Sequence, residues 1–281
     1  MNKTFIKPGI SLFVIILIMH SNLTGQIQRL HYIDDFTVLD TAQYEITYEM
    51  KRIDDPQKPK EKTTDIQKLL IGTEISKTYS YLLYQNDSLC TFLEKKGRNF
   101  PAAPKAASLY NVYKDYSANE LIVTYRSDGE VFRYKEPSPD FQWVMTNEKK
   151  TIMTYPCQKA TLDFRGRTYE AWFSPMLPFT DGPFKFSDLP GLILEMQDSE
   201  EHYVFKCIGV KKLKTPKAIK IRQWDYIETT REKLHTFLKK KYSNLTEYYN
   251  ARGITFGTKV DGKVVINPKN YSIPYNPIEL K

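Results

Sequence analysis

Cys157 and Lys159 lie two residues apart in the string Tyr155-Pro156-Cys157-Gln158-Lys159-Ala160. A cationic neighbour lowers a thiol pKa and yields a nucleophilic thiolate, so this pair could support covalent chemistry. A buried, inert cysteine on a strand fits the same residues. Asp181 and Asp188 offer two carboxylates for acid–base work, yet aspartates beside Gly and before Leu-Pro are also ordinary turn residues. The chain has no GxSxG elbow, HExxH pair, Walker loop or dinucleotide fingerprint. His202 and Cys207 are five residues apart, which on a strand sends them to opposite faces. No CxxC or Cys/His spacing marks a metal site. These residues assign no catalytic group, metal or cofactor; a hydrolase or thiol enzyme using Cys157 is the enzymatic alternative.

Binding chemistry is better represented. Ser174–Asp188 reads SPMLPFTDGPFKFSD, with three prolines and one glycine among large apolar residues. Asp181-Gly182-Pro183 forces a turn, and Phe179, Phe184 and Phe186 ride on the segment. Leu189-Pro190-Gly191 fits a type II turn. Rigid aromatics on a loop either contact a partner or tuck underneath as a plug. The candidate contact set is Trp172, Phe173, Phe179, Asp181, Gly182, Pro183, Phe184, Phe186, Leu189, Pro190 and Gly191.

The flanking elements must be strands. Gln43–Ile53 alternates Tyr44, Ile46, Tyr48 and Met50 with Glu45, Thr47, Glu49 and Lys51, the pattern of a strand with one buried face. Ile66–Ile71, Thr78–Tyr84, Gln142–Thr146, Lys150–Tyr155 and Leu192–Met196 are further strands, and Gly97–Ser108 is an irregular loop. Ser127-Asp128-Gly129 joins Glu120–Tyr125 to Val131–Lys135 in a hairpin. A second hairpin turns at Arg165-Gly166, which places Leu162 opposite Tyr169, Ala160 opposite Ala171, Thr161 opposite Glu170 and Lys159 opposite Trp172. Trp172 therefore falls on the polar face. Thr229-Thr230-Arg231-Glu232 reads as a capping box before a helix with Leu234, Phe237, Leu238, Tyr242 and Leu245 on one stripe. The proline-bearing tail from Asp261 reads as an extended strap. The expected fold is mainly β: a large curved antiparallel sheet with one late amphipathic helix and an extended C-terminal tail.

The N-terminus has the zones of a secretory leader: Lys3 and Lys7, the apolar run Ile10–Met19, then Ser21–Gly25 as a cleavage region. That run is short for a membrane span. The organisation expected is a signal peptide over 1–25, an antiparallel β domain over 26–225, and helix and tail over 226–281 packing on the same domain. Loss of Lys3 and Lys7 takes the formal charge from +8 to +6. The excess sits in clusters such as Lys211-Lys212-Lys214 and Lys239–Lys241, which form a solvated face or meet anionic lipid; an exported protein seldom meets nucleic acid. In an oxidising compartment Cys157 and Cys207 are the expected disulfide, leaving Cys90 free.

The segment Asp181–Met196, DGPFKFSDLPGLILEM, resembles the signature of the GLPGLI family of Bacteroidota. Trp143, Lys150-x-Ile152, Tyr155-x-Cys157-Gln158-Lys159-Ala160, Arg165-Gly166-Arg167 and Ala171-Trp172-Phe173 extend the likeness, which covers roughly Thr41–Leu213. Asp188 stands where the family peptide begins with Gly, a backbone conformation that Asp only tolerates. The resemblance implies an exported, β-rich envelope protein without carried-over catalytic residues. It also implies possible acceptors for O-glycosylation at Thr41 and Ser88, in Asp40-Thr41-Ala42 and Asp87-Ser88-Leu89. A related module resembles the N-terminal domain of some bacterial peptide-N-glycosidases. The expected role is an envelope binding or assembly protein, located in the periplasm or secreted, that holds an outer-membrane protein or transporter, a peptide or an apolar lipid ligand. A scaffold held on the membrane by the basic helix is a further alternative.

Overall fold

The computed structural model describes residues 16–18, 33–99, 101–260, 263–266 and 270–281. The leader reading of residues 1–25 lies outside the described residues except for Ile16–Ile18. The fold is mainly β, with 49% of residues in strands and 15% in helices. The strands are β1 (Ile16–Ile18), β2 (Phe36–Ile53), β3 (Lys62–Ile71), β4 (Ile75–Ser80), β5 (Tyr110–Asp115), β6 (Glu120–Ser127), β7 (Glu130–Pro137), β8 (Val144–Ile152), β9 (Tyr155–Phe164), β10 (Arg167–Ser174), β11 (Leu192–Asp198), β12 (Tyr203–Arg222), β13 (Tyr226–Glu228), β14 (Thr255–Val260) and β15 (Lys263–Ile266). The helices are α1 (Tyr81–Glu94), α2 (Arg231–Ser243) and α3 (Leu245–Asn250).

Two compact units result. The larger spans Gln28–His235 with Asn276–Lys281, and the smaller comprises Thr236–Tyr275 with β1. The division falls inside α2. In the smaller unit β14 pairs with both β1 and β15, and Asn244 caps α3 by accepting from Glu247 N at 3.1 Å.

The larger unit carries one curved, open sheet of twelve strands in the order β13-β7-β6-β5-β4-β3-β2-β12-β11-β10-β9-β8. Every neighbouring pair is antiparallel except the short β13–β7 contact. β2 and β12 form its spine, and their register slips between Cys207 and Gly209, Lys212 and Lys217, and Ile219 and Lys220. Bulges of this kind bend a long strand and raise its twist. The buried alternation in β2 follows the sequence: Ile46, Tyr48 and Met50 point inward. A core cluster joins Ala42 of β2 and Ile219 and Ile221 of β12 to Leu70, Ile75, Tyr79 and Tyr113.

Both hairpins form as the turn residues dictate. Asp128-Gly129 and Arg165-Gly166 all have positive φ, the two-residue turn that matches strand twist. The β9–β10 register pairs Leu162 with Tyr169, Thr161 with Glu170, Ala160 with Ala171 and Lys159 with Trp172.

Several local expectations are corrected. Thr78–Tyr84 is not one strand: β4 ends at Ser80, whose hydroxyl caps α1 by accepting from Leu83 N at 3.1 Å. The inward face of α1 is Leu83, Asp87, Cys90 and Thr91, helical in spacing but half polar, so no apolar stripe announced it. The late helix is thus one of three among the described residues. Its cap is Thr230, not Thr229: Lys233 N donates to Thr230 Oγ1 at 3.3 Å. Gln142–Thr146 and Lys150–Tyr155 merge into the single strand β8 and the start of β9. The expected Cys157–Cys207 disulfide is absent, and all three cysteines are free and buried. Cys157 lies on β9 and Cys207 on β12, with β10 and β11 between them, whereas a disulfide suits strands whose Cα atoms approach within about 4.4–6.8 Å.

The C-terminal residues 276–281 are an extended strap on the larger unit. Arg167 anchors it, donating to Asn276 Oδ1 at 2.6 Å and to Pro277 O at 2.8 Å while also binding Asp198 Oδ2 at 2.7 Å. Arg167 and Asp198 are both buried. Removing one partner of such a pair leaves an uncompensated buried charge, so Arg167→Met is expected to cost about 3–5 kcal/mol in urea unfolding and to expose the strap to carboxypeptidase. Loss of less than about 1 kcal/mol would show that the strap is not anchored there.

Candidate functional site

The β10–β11 connection, residues 175–191, is the most chemically dense part of the larger unit. Its first half is largely exposed, Met176 to 64%, and its second half turns inward. Asp181 to Phe186 are all buried, and Phe186 has no exposed area. A bridge between Asp181 and Ser187 closes the loop on itself, and Ile193 N donates to Asp181 O at 3.0 Å. The plug alternative is the one realised.

Phe186 sits in an aromatic nest. Its ring lies 4.7 Å from Tyr169, 5.6 Å from Phe141, 5.7 Å from Phe164 and 6.3 Å from Trp143, centroid to centroid. Trp143 Nε1 donates to Ser187 O at 2.8 Å. Phe184 meets Tyr110 edge-on at 5.7 Å, and Phe179 meets Tyr44 at 4.6 Å. Phe173 and Leu189 are likewise buried, while Pro190 is exposed.

Two buried lysines pin the loop. The Lys114 ammonium group, on β5, is 4% exposed; it pairs with Asp181 Oδ1 and donates to Gly182 O at 2.9 Å and Phe186 O at 2.8 Å. Tyr116 OH donates to the other Asp181 oxygen at 2.7 Å. Burial lowers the Lys114 pKa, and the facing Asp181 opposes that shift. Lys185, on the loop itself, is completely buried; its Nζ reaches Glu136 Oε1 at 2.7 Å, Glu279 Oε2 at 2.8 Å and Tyr134 OH at 3.0 Å. Arg165 completes this group by binding Glu136 Oε2 at 2.8 Å and Glu279. Burial alone would raise the Glu136 pKa, but Arg165 and Lys185 hold it below the usual carboxylate range. The strap's Glu279 thus ties the loop to the β9–β10 turn and to β7.

The glycines and the αL residues are explained by close approach. A Cβ on Gly191 (φ 150°) would collide with Ser174 O, and a Cβ on Gly182 would come within 2.7 Å of Ile193 Cδ1. Gly191 N donates to Leu189 O at 2.7 Å, which makes a γ-turn about Pro190 in place of the expected type II turn. Asp188 has φ 71°, the left-handed conformation in which glycine costs nothing. Phe184 also has positive φ, at 54°.

Trp172 lies on the outer face as its register requires, half-buried beneath Lys150, whose Nζ sits 4.4 Å from the ring centroid and pairs with Glu195. Cys157 is 3% exposed, and burial raises its pKa, the reverse of an activated thiol. Burial pushes the Cys207 thiol up to about 11. Thr41 is exposed on β2; Ser88 is half-buried on α1, next to Asp87, which is engaged by Arg126. Asp198, Glu200 and His202 gather ligand atoms within 4.8 Å, a cluster that the sequence spacing did not reveal. The Arg167 guanidinium already supplies a cation there, to Asp198 and to His202 Nδ1 at 3.2 Å.

The hairpin, the loop and the start of α2 form a stretch with a known likeness. Residues 126–232 match the family described as N-glycanase peptide, N-terminal domain. No curated protein matches the chain. Among solved structures, PNGF-II in one crystal form is 17% identical over 72% of this chain, with a TM-score of 0.46, and in a second form 16% identical over 72%, with a TM-score of 0.47. The chain spans about a third of the length of those structures. No helix among the described residues is long and apolar enough to cross a membrane.

Two substitutions test the loop in opposite directions. Asp181→Asn leaves the Lys114 ammonium group buried without its counter-charge and is expected to cost about 3–5 kcal/mol in urea unfolding. Asp188→Gly relieves a left-handed non-glycine residue and is expected to stabilise by up to about 1 kcal/mol, read as a rise in melting temperature. A neutral Asp181→Asn or a destabilising Asp188→Gly would contradict this description of the loop.

Proposed function

We propose that the chain is an exported cell-envelope protein of the GLPGLI type, released by cleavage near Gly25, that acts as a binding and assembly module for an outer-membrane protein or transporter. The partner adds an extended segment at β8. One observation carries this reading: β8 is the open edge of the twelve-stranded sheet, and it presents Val144 and Met145, 65% and 56% exposed, to solvent. An unpaired edge is a template for strand addition, with backbone bonds giving affinity and side chains giving choice. The bulge between Met145 and Lys149, and the exposed Lys149 itself, make this edge selective, because an entering strand has to match a kink and answer an ammonium group.

The aromatic loop serves this function indirectly: sealed by ion pairs, it supports β9–β11 from the inside while their outer face, with Trp172, stays at the surface. The likeness of residues 126–232 to an N-glycanase N-terminal domain is in keeping with a module that accompanies other activities. No nucleic-acid partner is proposed, and a peptide is a simpler ligand of the same edge.

A photo-crosslinking residue at Met145 tests the proposal in the native envelope, with the same residue at exposed Lys60 as the control. The expected result is one membrane-protein adduct from position 145 only, reduced at least about fivefold by Val144→Lys. The same products from both positions, or an adduct indifferent to Val144→Lys, would overturn it.

A further inference from the structure

A narrow, half-open cleft enclosing about 20 Å³ lies elsewhere in the larger unit, between β4, the start of α1, β5, β6 and the end of β12. Its lining includes Lys77, Tyr79, Asn111, Arg126, Arg222 and Trp224. The Lys77 Nζ donates to Lys220 O at 2.8 Å and lies 4.9 Å from the Tyr113 ring centroid and 5.2 Å from that of Tyr79. The Arg126 guanidinium stacks on Trp224 at 4.6 Å and forks onto Asp87, yet its Nε is buried with no hydrogen-bond partner among the described residues. Arg222 donates to Ile33 O and meets no carboxylate within ion-pair distance among the described residues. The first turn of α1, which begins at the cleft wall, has no acidic residue.

The charge balance is lopsided. Lys77, Arg126 and Arg222 line the cleft, with Lys217 and Lys220 close by on β12; of these, Lys217 is answered by Glu45. Asp87 is the one carboxylate in the lining, and Arg126 takes both its oxygens. The rings of Tyr79 and Tyr113 flank the lysine, and burial raises the pKa of both phenols. We infer that this cleft is a binding site for an oxyanion head group, a sulfate, phosphate or carboxylate, gripped by Arg222, Arg126 and Lys77, with Trp224 as the apolar wall for whatever the head group is attached to. Paired guanidinium groups with unused donors in a partly dry cleft form the standard geometry for such anions.

The site is sensitive to protons. Burial first, and then the positive charges of Arg222, Lys217, Arg126 and Lys220, lower the Lys77 pKa to about 7. A bound oxyanion favours the charged ammonium, so binding takes up a proton and tightens as pH falls through that value.

Calorimetric titration of the full chain with sulfate, and separately with a short-chain phosphatidylglycerol, tests the inference. Neither probe changes its charge between pH 6 and pH 8. The expected result is saturable one-to-one binding of one or both, about tenfold tighter at pH 6 than at pH 8. Arg222→Gln should weaken binding at least about tenfold at both pH values. Lys77→Met should erase the pH dependence, and it keeps the Lys220 carbonyl bonded because Tyr113 OH also donates to it at 3.1 Å. Equal binding of both probes identifies a free oxyanion as the ligand, and binding of the phospholipid alone identifies a lipid head group. Failure of both probes to bind folded protein, or binding untouched by Arg222→Gln, would overturn the inference.

Discussion

Of the three lysines buried among the described residues of the larger unit, Lys114 and Lys185 set the terms for the rest of it. Desolvating a lysine costs several kcal/mol unless its charge is met at close range. Lys114 and Lys185 are therefore tolerable only where Asp181, Glu136 and Glu279 reach them together. Those carboxylates come from the loop, from β7 and from the C-terminal strap, so the three distant segments must be in place at once. Such an arrangement adds little net stability over an apolar core of the same volume, but it penalises every alternative packing in which one partner is missing. The loop's course between Ser174 and Leu192 is fixed by this requirement more than by its own turn propensities. Phe184 has a positive φ, which its side chain disfavours, immediately before Lys185, which faces Glu136 and Glu279.

Much of the sheet was legible in the sequence because period-two alternation and turn chemistry are local signals. The β9–β10 register follows from Arg165-Gly166 alone, and β2 from its alternating tyrosines and isoleucine. Legibility fails where a buried position is filled by a polar residue. The inward face of α1 carries Asp87 and Thr91, Asp87 because Arg126 on β6 answers it. The sequence shows neither that partner nor the apolar stripe that would have marked the helix. The cysteine pairing fails for a related reason: membership of one sheet says nothing of neighbouring strands, and two strands separate Cys157 from Cys207.

At the candidate site, residue types were readable and directions were not. Phe179, Phe184 and Phe186 suggest contact or plug equally well until Lys114 and Lys185 are located. Neither lysine carries a sequence signal, since a lysine in a strand or loop ordinarily points to water. Asp188 is the instructive exception: a position expected to suit glycine has a φ of 71°, a left-handed conformation. The acceptor reading at Ser88 meets a similar limit, because the adjacent Asp87 is engaged in the fold.

With the loop closed from within, what the larger unit offers outward is an edge strand and a cationic cleft. The central claim is that the buried run Asp181–Phe186 belongs to the core and that the loop carrying it does not open on its own. Native-state hydrogen exchange of the loop amides of Phe179, Phe186 and Asp188, followed against low concentrations of urea, measures this directly. If those amides exchange only through global unfolding, with the same free energy and urea dependence as the strand amides of β9 and β11, the loop is part of the cooperative core. If they exchange through a low-energy opening with little urea dependence while β9 and β11 stay protected, the loop is a separate flap and the account is wrong.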